Sequence, residues 1–282
     1  MQTIWKSYHV FMWNYEVFDD FIRAFYKLLT KQQKENIFFI RYWKGGPHLR
    51  IRIKKENSEI VRSLIEDALQ VISEQYPGLN NITLNKNDFY ETTFMDGESF
   101  DLKNLPWFKN LSIVEIPYVR EVERYGGTDL MAQTERIFCM SSIIVSHLIK
   151  RPLLLSQKIV ILYRTVELVV ENILTSQNDK IRYYSMSSRF WKSLERVESI
   201  DIETSEKIYQ ISHNLNLLSL LSEFISGLKA IYLEVLKQDQ EYAMSVVMSH
   251  LHMFANRLGV SIDTELSCYN YFREKERYDA VG

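Results

Sequence analysis

Hydrophobic residues change spacing several times along this chain, and each change predicts an element. Trp5, Tyr8, Val10, Met12 and Trp13 form an aromatic opening that predicts a strand within residues 1–15. From Glu16 to Lys31 the spacing turns helical, with Phe18, Phe21, Ile22, Phe25, Leu28 and Leu29 recurring on one side. Residues 37–54 hold two β-branched and aromatic runs around Gly45-Gly46-Pro47, the signature of strand, turn and strand. Ser58 to Tyr76 places Ile60, Val61, Leu64, Ile65, Leu69 and Ile72 on an amphipathic helix, with Ser58 as its expected N-cap and Pro77-Gly78 as its stop. Residues 79–110 are the least periodic. Phe89, Tyr90, Phe94, Phe100 and Trp107 interleave with polar residues there, which predicts strands and loops. Ser112 to Ile116 is a further strand, stopped by Pro117.

From about Asp129 a helical period takes over. Leu130–Ile149, Pro152–Leu174, Ser205–Gln238 and Glu241–Leu258 are expected helices, and Pro152 and Gly227 are the only such breakers between residues 128 and 258. The expected fold class is α+β: an antiparallel sheet with helices over 1–128 and a mainly α-helical half over 129–282. No linker rich in Pro, Gly or Ser divides the two, so one domain, a single compact unit over 1–282, is expected.

Composition narrows the function classes. The 282 residues suffice for a sizeable core, and 46% apolar with 25% charged residues is ordinary for a globular protein. A formal charge of −2, with basic and acidic residues interspersed, argues against non-specific nucleic-acid binding. Cys139 and Cys268 stand alone, without CxxC or clustered Cys/His spacing, so no disulfide framework, metal or other cofactor is expected. Cys139 reads as a buried small hydrophobe. The N-terminus lacks a signal-peptide pattern and no apolar run approaches a membrane span, which makes a cytoplasmic location the default expectation. No P-loop, GxGxxG after a strand, GxSxG or HExxH is present.

Three stretches could carry chemistry. In the second hairpin strand His48, Arg50 and Arg52 share one face and Leu49, Ile51 and Ile53 the other. A guanidinium is permanently charged and matches a carboxylate with two parallel N–H donors, so this face suits an anionic substrate group. On the hairpin alone, a solvated strand with each arginine paired to a glutamate is the commoner outcome. The second stretch, Tyr118 to Gly127, sets Arg120, Glu121, Glu123 and Arg124 before a Gly-Gly break, where Glu121 and Arg124 can pair; a surface ion-pair cluster is the alternative.

The third stretch is Ser249 to Leu258. On a helix, Val247, Leu251, Phe254 and Leu258 form an apolar stripe, while Ser245, Ser249, His252 and Asn256 form a separate polar one. His252 lies off the apolar stripe, with His250 pointing away from it. An imidazole can act as general acid or base, although a lone helical histidine is more often structural. Two histidines two residues apart do not share a face, so no metal pair is expected. His147 and His213, in apolar helices, read as core histidines.

Taken in order, Phe38-Phe39-Ile40-Arg41-Tyr42, Pro47-His48-Leu49-Arg50-Ile51-Arg52, Tyr118-Val119-Arg120-Glu121, Arg124-Tyr125-Gly126-Gly127, His252-Met253 and Asn256-Arg257-Leu258 resemble a known family. It is the C-terminal, glutamate-elimination domain of class I lanthipeptide dehydratases, also found as the free-standing thiopeptide-type bacteriocin biosynthesis protein. The motifs span residues 38 to 258.

The resemblance implies a lyase that removes glutamate from glutamylated Ser or Thr of a ribosomally made precursor peptide, leaving dehydroalanine or dehydrobutyrine. It implies Arg50, Arg52 and Arg124 as catalytic arginines, His252 as catalytic histidine and Glu121 as the acidic residue before the third arginine. His48, Arg120, Tyr125 and Asn256 are expected on the substrate-binding side. β-Elimination needs a base for the α proton, stabilisation of an enolate-like carbanion and help for a carboxylate leaving group, and fixed cations serve the latter two. The chain lacks the family's glutamylation region, so a split system with a separate tRNA-dependent glutamylation subunit is expected, with no direct nucleic-acid contact. A homodimer is one arrangement to be tested. Two other readings stand beside this one. Free-standing relatives include thiopeptide pyridine synthases, which join two dehydroalanines by a formal cycloaddition and expel the leader peptide; the long interval from Arg52 to Tyr118 keeps that reading open. The other is a non-catalytic subunit that binds the precursor peptide at a sheet edge.

Overall fold

Residues whose side chains alternate in the first half form one antiparallel sheet. In the computed structural model, which describes residues 4–92, 104–194 and 197–280, β1 (Trp5–Phe11), β2 (Ile37–Tyr42), β3 (His48–Lys54) and β4 (Ser112–Glu115) lie in the order β2-β3-β1-β4. The chain folds into two compact units that interleave in sequence: Met1–Arg120 with Phe138–Pro152, and Glu121–Ile137 with Leu153–Gly282. These units differ from the expected halves, 1–128 and 129–282, because the helix α5 (Met131–Leu148) contributes residues to both.

In the first unit the hairpin register pairs Phe38 with Arg52, Ile40 with Arg50 and Tyr42 with His48, and β1 sets Ser7, His9 and Phe11 opposite Arg52, Arg50 and His48. One sheet face therefore gathers aromatic residues around the arginines, and the other carries Tyr8, Val10, Phe39, Leu49, Ile51 and Ile53, all buried. Helix α1 (Phe18–Leu28), with Phe18, Phe21, Ile22 and Phe25 buried, packs on this second side beside a longer helix, Ser58–Gln75. Arg41, on the same side, pairs with Asp19 of α1. The single-turn helix Lys31–Lys34 (α2) is closed by a capping box between Thr30 and Gln33. Edge strand β2 donates its Phe39 N–H to Ser142 Oγ at 3.2 Å, which removes one open backbone donor from the edge.

Three local expectations are corrected here. Ser58 is the first residue of α3 (Ser58–Gln75), not its cap: the 3₁₀ turn Lys55–Asn57 runs straight into the helix, and Ser58 already has helical angles. Among the described residues of 79–110, where strands and loops are expected, there is a helix, α4 (Lys86–Thr92), because the Asn85 side chain accepts from the N–H groups of Asn87 and Asp88 and starts a turn. Phe94 and Phe100 lie outside the described residues.

In the second unit are α6 (Leu155–Ile173), α7 (Gln177–Lys192), α8 (Ile202–His213), α9 (Leu218–Leu236), α10 (Gln240–Leu258) and α11 (Ile262–Asp279). The expected helix over Ser205–Gln238 is two helices. Asn214 turns its side chain back onto Gln210 O, and the freed Leu215 carbonyl accepts from Arg164 Nε of α6, so the break is held by side-chain bonds. Helices α7 and α11 pack together although neither has a strong apolar period; Tyr183, Tyr184, Tyr269 and Phe272 meet across their contact. His147 and His213 are exposed rather than core residues, and His213 Nδ1 lies 3.3 Å from Glu167. Among the described residues no helix is long and apolar enough to cross a membrane.

Candidate functional site

The turn between β2 and β3 is built to be rigid. Gly45 and Gly46 both have φ near +100°, at 102° and 103°, where a side chain is strained. Gly45 N donates to Tyr90 Oη at 2.8 Å, Tyr90 Oη donates to Pro106 O at 2.6 Å, and Phe108 N donates to Gly45 O at 3.0 Å. A Cβ at Gly45 would meet Phe108 at 2.8 Å, so the glycine also permits this close approach.

This turn launches the cationic strand. Arg50 and Arg52 are half-buried. The Arg50 guanidinium sits 3.4 Å from the centre of the Tyr42 ring, and that of Arg52 lies 4.4 Å from Tyr118 and 5.4 Å from Phe38. Aromatic faces attract a guanidinium without neutralising it, so they orient the charge while preserving it. Alternation along β3 correctly placed both arginines together. Arg120, half-buried, belongs to the same unit.

His48 is fully buried, which sequence spacing did not reveal. Its Nδ1 lies 2.8 Å from Gly46 O, an acceptor, so Nδ1 carries the proton of the neutral ring. Burial, with Arg50 and Arg52 near, holds its pKa down at about 3. His9 was not singled out from the sequence. It lies directly opposite Arg50, and its ring stacks on that of His48. The signal available was its alternate-face position in the opening strand.

In the second unit, the 3₁₀ turn Glu123–Tyr125 and the two glycines after it place Arg124 against α10. Glu121 Oε2 accepts from Arg124 Nη1 at 3.1 Å, as the spacing suggested, and Arg124 Nε lies 3.4 Å from Ser249 Oγ of α10. Tyr242 Oη donates to Glu123 O at 2.8 Å, and the buried Tyr125 ring meets His250 edge-on at 5.2 Å. Gly126 (φ +94°) closes the turn where a Cβ would meet Leu130 and Val235, each at 2.9 Å.

Helix α10 is buried almost all round, so the expected division into apolar and polar sides does not hold. His250 and His252 are both buried, as is Ser249, while Asn256 is half-buried. Burial first, then Arg257 and Arg124, press the His250 pKa down to about 3. His252 Nδ1 lies 2.9 Å from Glu265 Oε1, and the Trp191 ring centroid is 4.8 Å from its own. Glu265, on α11, went unnoticed in the sequence because its helix has no clear apolar period. Within the second unit the fold thus joins Glu121, Arg124, Ser249 and His250 at the middle of α10 and sets His252, on the same helix, beside Glu265. No group of three or more His, Cys, Asp or Glu side chains among the described residues could hold a metal ion.

Comparison with known proteins places these residues in a family. Residues 5–275 match the family described as lantibiotic biosynthesis dehydratase, C-terminal part. The nisin biosynthesis protein NisB of Lactococcus lactis subsp. lactis is 26% identical over 252 residues, which cover 83% of this chain and 21% of NisB. The subtilin biosynthesis protein SpaB of Bacillus subtilis is 28% identical over 136 residues, 46% of this chain and 10% of SpaB. This chain thus spans about a fifth or less of these two relatives. Among solved structures, the pyridine synthase TbtD from thiomuracin biosynthesis shares the fold with a TM-score of 0.64 at 16% identity, covering 98% of each chain. The tRNA-dependent lantibiotic dehydratase MibB from Microbispora sp. 107891 matches with a TM-score of 0.56 at 17% identity, over 99% of this chain and 28% of MibB. The chain belongs to the family of lantibiotic biosynthesis dehydratase C-terminal proteins.

Proposed function

We propose that this protein is a lyase that eliminates glutamate from glutamylated Ser or Thr of a ribosomally made precursor peptide. The observation that carries this reading is the pair Arg50 and Arg52, two guanidiniums on one strand face, each laid over an aromatic ring, in a chain of the dehydratase C-terminal family. In this reading Arg50, Arg52 and Arg124 hold the glutamyl carboxylate and the developing enolate, and Glu121 orients Arg124. His252 takes the α proton. His48 sets the turn that aims the arginines, and Arg120, Tyr125 and Asn256 border the substrate. In this reading glutamylation is supplied by a tRNA-dependent partner subunit.

The pyridine synthase reading is favoured by one observation, the near-complete mutual coverage with TbtD. Mass spectrometry of the precursor after incubation with the protein and its glutamylating partner separates the readings. Elimination gives dehydro residues, and Arg52→Ala or His252→Ala then accumulates glutamylated peptide. Leader loss with a new macrocycle means cycloaddition, and an unchanged peptide held in a complex means a binding subunit. Fully dehydrated product from both variants would sink the proposed roles.

A further inference from the structure

We propose that Glu265 is the positioning residue that fixes the tautomer of His252 and thereby chooses which ring nitrogen handles the proton. This rests on the elimination reading for its chemical consequence, but not for its geometry.

Both side chains are secluded, His252 at 8% and Glu265 at 2% exposure, and they meet at 2.9 Å between Nδ1 and Oε1. An ionised carboxylate can only accept, so the contact requires the hydrogen on Nδ1. In the neutral ring Nε2 then keeps its lone pair and is the atom able to take a proton. The Trp191 ring holds the imidazole plane from a second side. When Nε2 becomes protonated, the carboxylate at Nδ1 stabilises the resulting imidazolium, as a buried acid does behind other catalytic imidazoles.

The local fold explains why the pair is reproducible. Gly259 caps α10 with φ +78°, and Ser261 caps α11, its carbonyl accepting from Glu265 N at 3.2 Å. Glu265 therefore sits in the first turn of α11, where the helix dipole favours a negative charge. Tyr183 on α7 and Cys268 and Tyr269 on α11 itself also lie within its field; burial pushes all three up, so they stay neutral near pH 7. On α10, His250 and Arg257 flank His252 in sequence, and Arg257 spends its Nη1 on Met253 O at 2.9 Å.

In the elimination, Nε2 takes the α proton while the electron pair of the Cα–H bond becomes the Cα=Cβ bond. The Cβ–O bond breaks with its pair on the departing glutamate carboxylate, and Nε2 later returns the proton to that carboxylate or to water. Both atoms and charge balance without a co-reactant.

The test uses the full chain and a pre-glutamylated peptide. Glu265→Gln replaces an acceptor by an amide that can donate to Nδ1, which admits the wrong tautomer. Its single-turnover elimination rate should fall roughly 10²-fold or more, as for other groups that orient a catalytic imidazole. The acidic limb of its pH–rate profile should move to lower pH, since the carboxylate no longer supports the imidazolium. Glu265→Asp should retain the parent limb. Independently of activity, ¹⁵N NMR of the His252 ring should show hydrogen on Nδ1 in the parent and Glu265→Asp proteins and a shifted tautomer in Glu265→Gln. An unchanged tautomer together with an unchanged pH limb in a folded Glu265→Gln would overturn the proposal. If instead His252→Asn eliminates at the parent rate, the function reading fails while the NMR result still decides the positioning of His252.

Discussion

The imidazole of His9 stacks on that of His48, with ring centroids 4.8 Å apart and planes 20° from parallel. Both are buried beside permanent cations, and the consequence is an acid-sensitive fold. Burial first, then His48, Arg50 and Arg52, carry the His9 pKa from 6.5 to about 2, and His48 and His250 fall to about 3. Between those values and about 6.5 the unfolded chain binds protons that the folded chain refuses, so stability rises with pH there and is lost as pH falls below about 6.5. Each of the three contributes a slope of about 1.4 kcal/mol per pH unit in that window. Denaturant midpoints measured from pH 8 to 4.5 should fall on acidification, and less steeply for His250→Gln than for the parent. An equal slope in the two proteins would contradict the burial of His250 as a neutral ring.

Arg41 turns away from Arg50 and Arg52 and pairs with Asp19 at 12% and 13% side-chain exposure. Removing one partner of a buried pair leaves a desolvated charge behind, so Arg41→Met should cost about 3–5 kcal/mol. Asp19→Leu combined with Arg41→Met should recover most of that loss in a double-mutant cycle followed by urea unfolding. On the proposed function, elimination per folded molecule should be unaltered in the double variant.

The two glycines after Tyr125 should respond differently to alanine. Both have positive φ, but a Cβ at Gly126 meets Leu130 and Val235 at 2.9 Å, whereas at Gly127 nothing lies within 4 Å. Gly127→Ala should cost only backbone strain, about 1–3 kcal/mol. Gly126→Ala adds overpacking of a further 1–3 kcal/mol or so. Thermal melts of the two variants should rank in that order.

Ser142 tests how the sheet edge is protected. Its Oγ accepts from Phe39 N at 3.2 Å and donates to Phe138 O at 2.9 Å. Ser142→Ala should cost about 1–3 kcal/mol and speed amide exchange at Phe39 more than at Ile40.

Much of this was legible along the chain because a strand's geometry is local. Alternation alone put His48, Arg50 and Arg52 on one face, and the three-residue spacing of Glu121 and Arg124 anticipated their ion pair. Helical period found α1, α3, α5, α6 and α10 but missed α7 and α11. Many of their buried positions are tyrosine, serine and asparagine, whose hydroxyl and amide groups look polar in sequence, and some find their partners only across the two helices, as Ser188 does in Asn270 at 2.6 Å. Glu265 was invisible for the same reason. A carboxylate thirteen residues from a histidine has no meaning until two helices fold back at Gly259 and bring Nδ1 and Oε1 to 2.9 Å. Sequence by itself determined the strands of the sheet, most of the helices, the family motifs and the shared face of the arginines. Tertiary structure decided which charges are buried, which are paired and which nitrogen of His252 is committed, because desolvation and hydrogen-bond partners come from residues far apart in the chain.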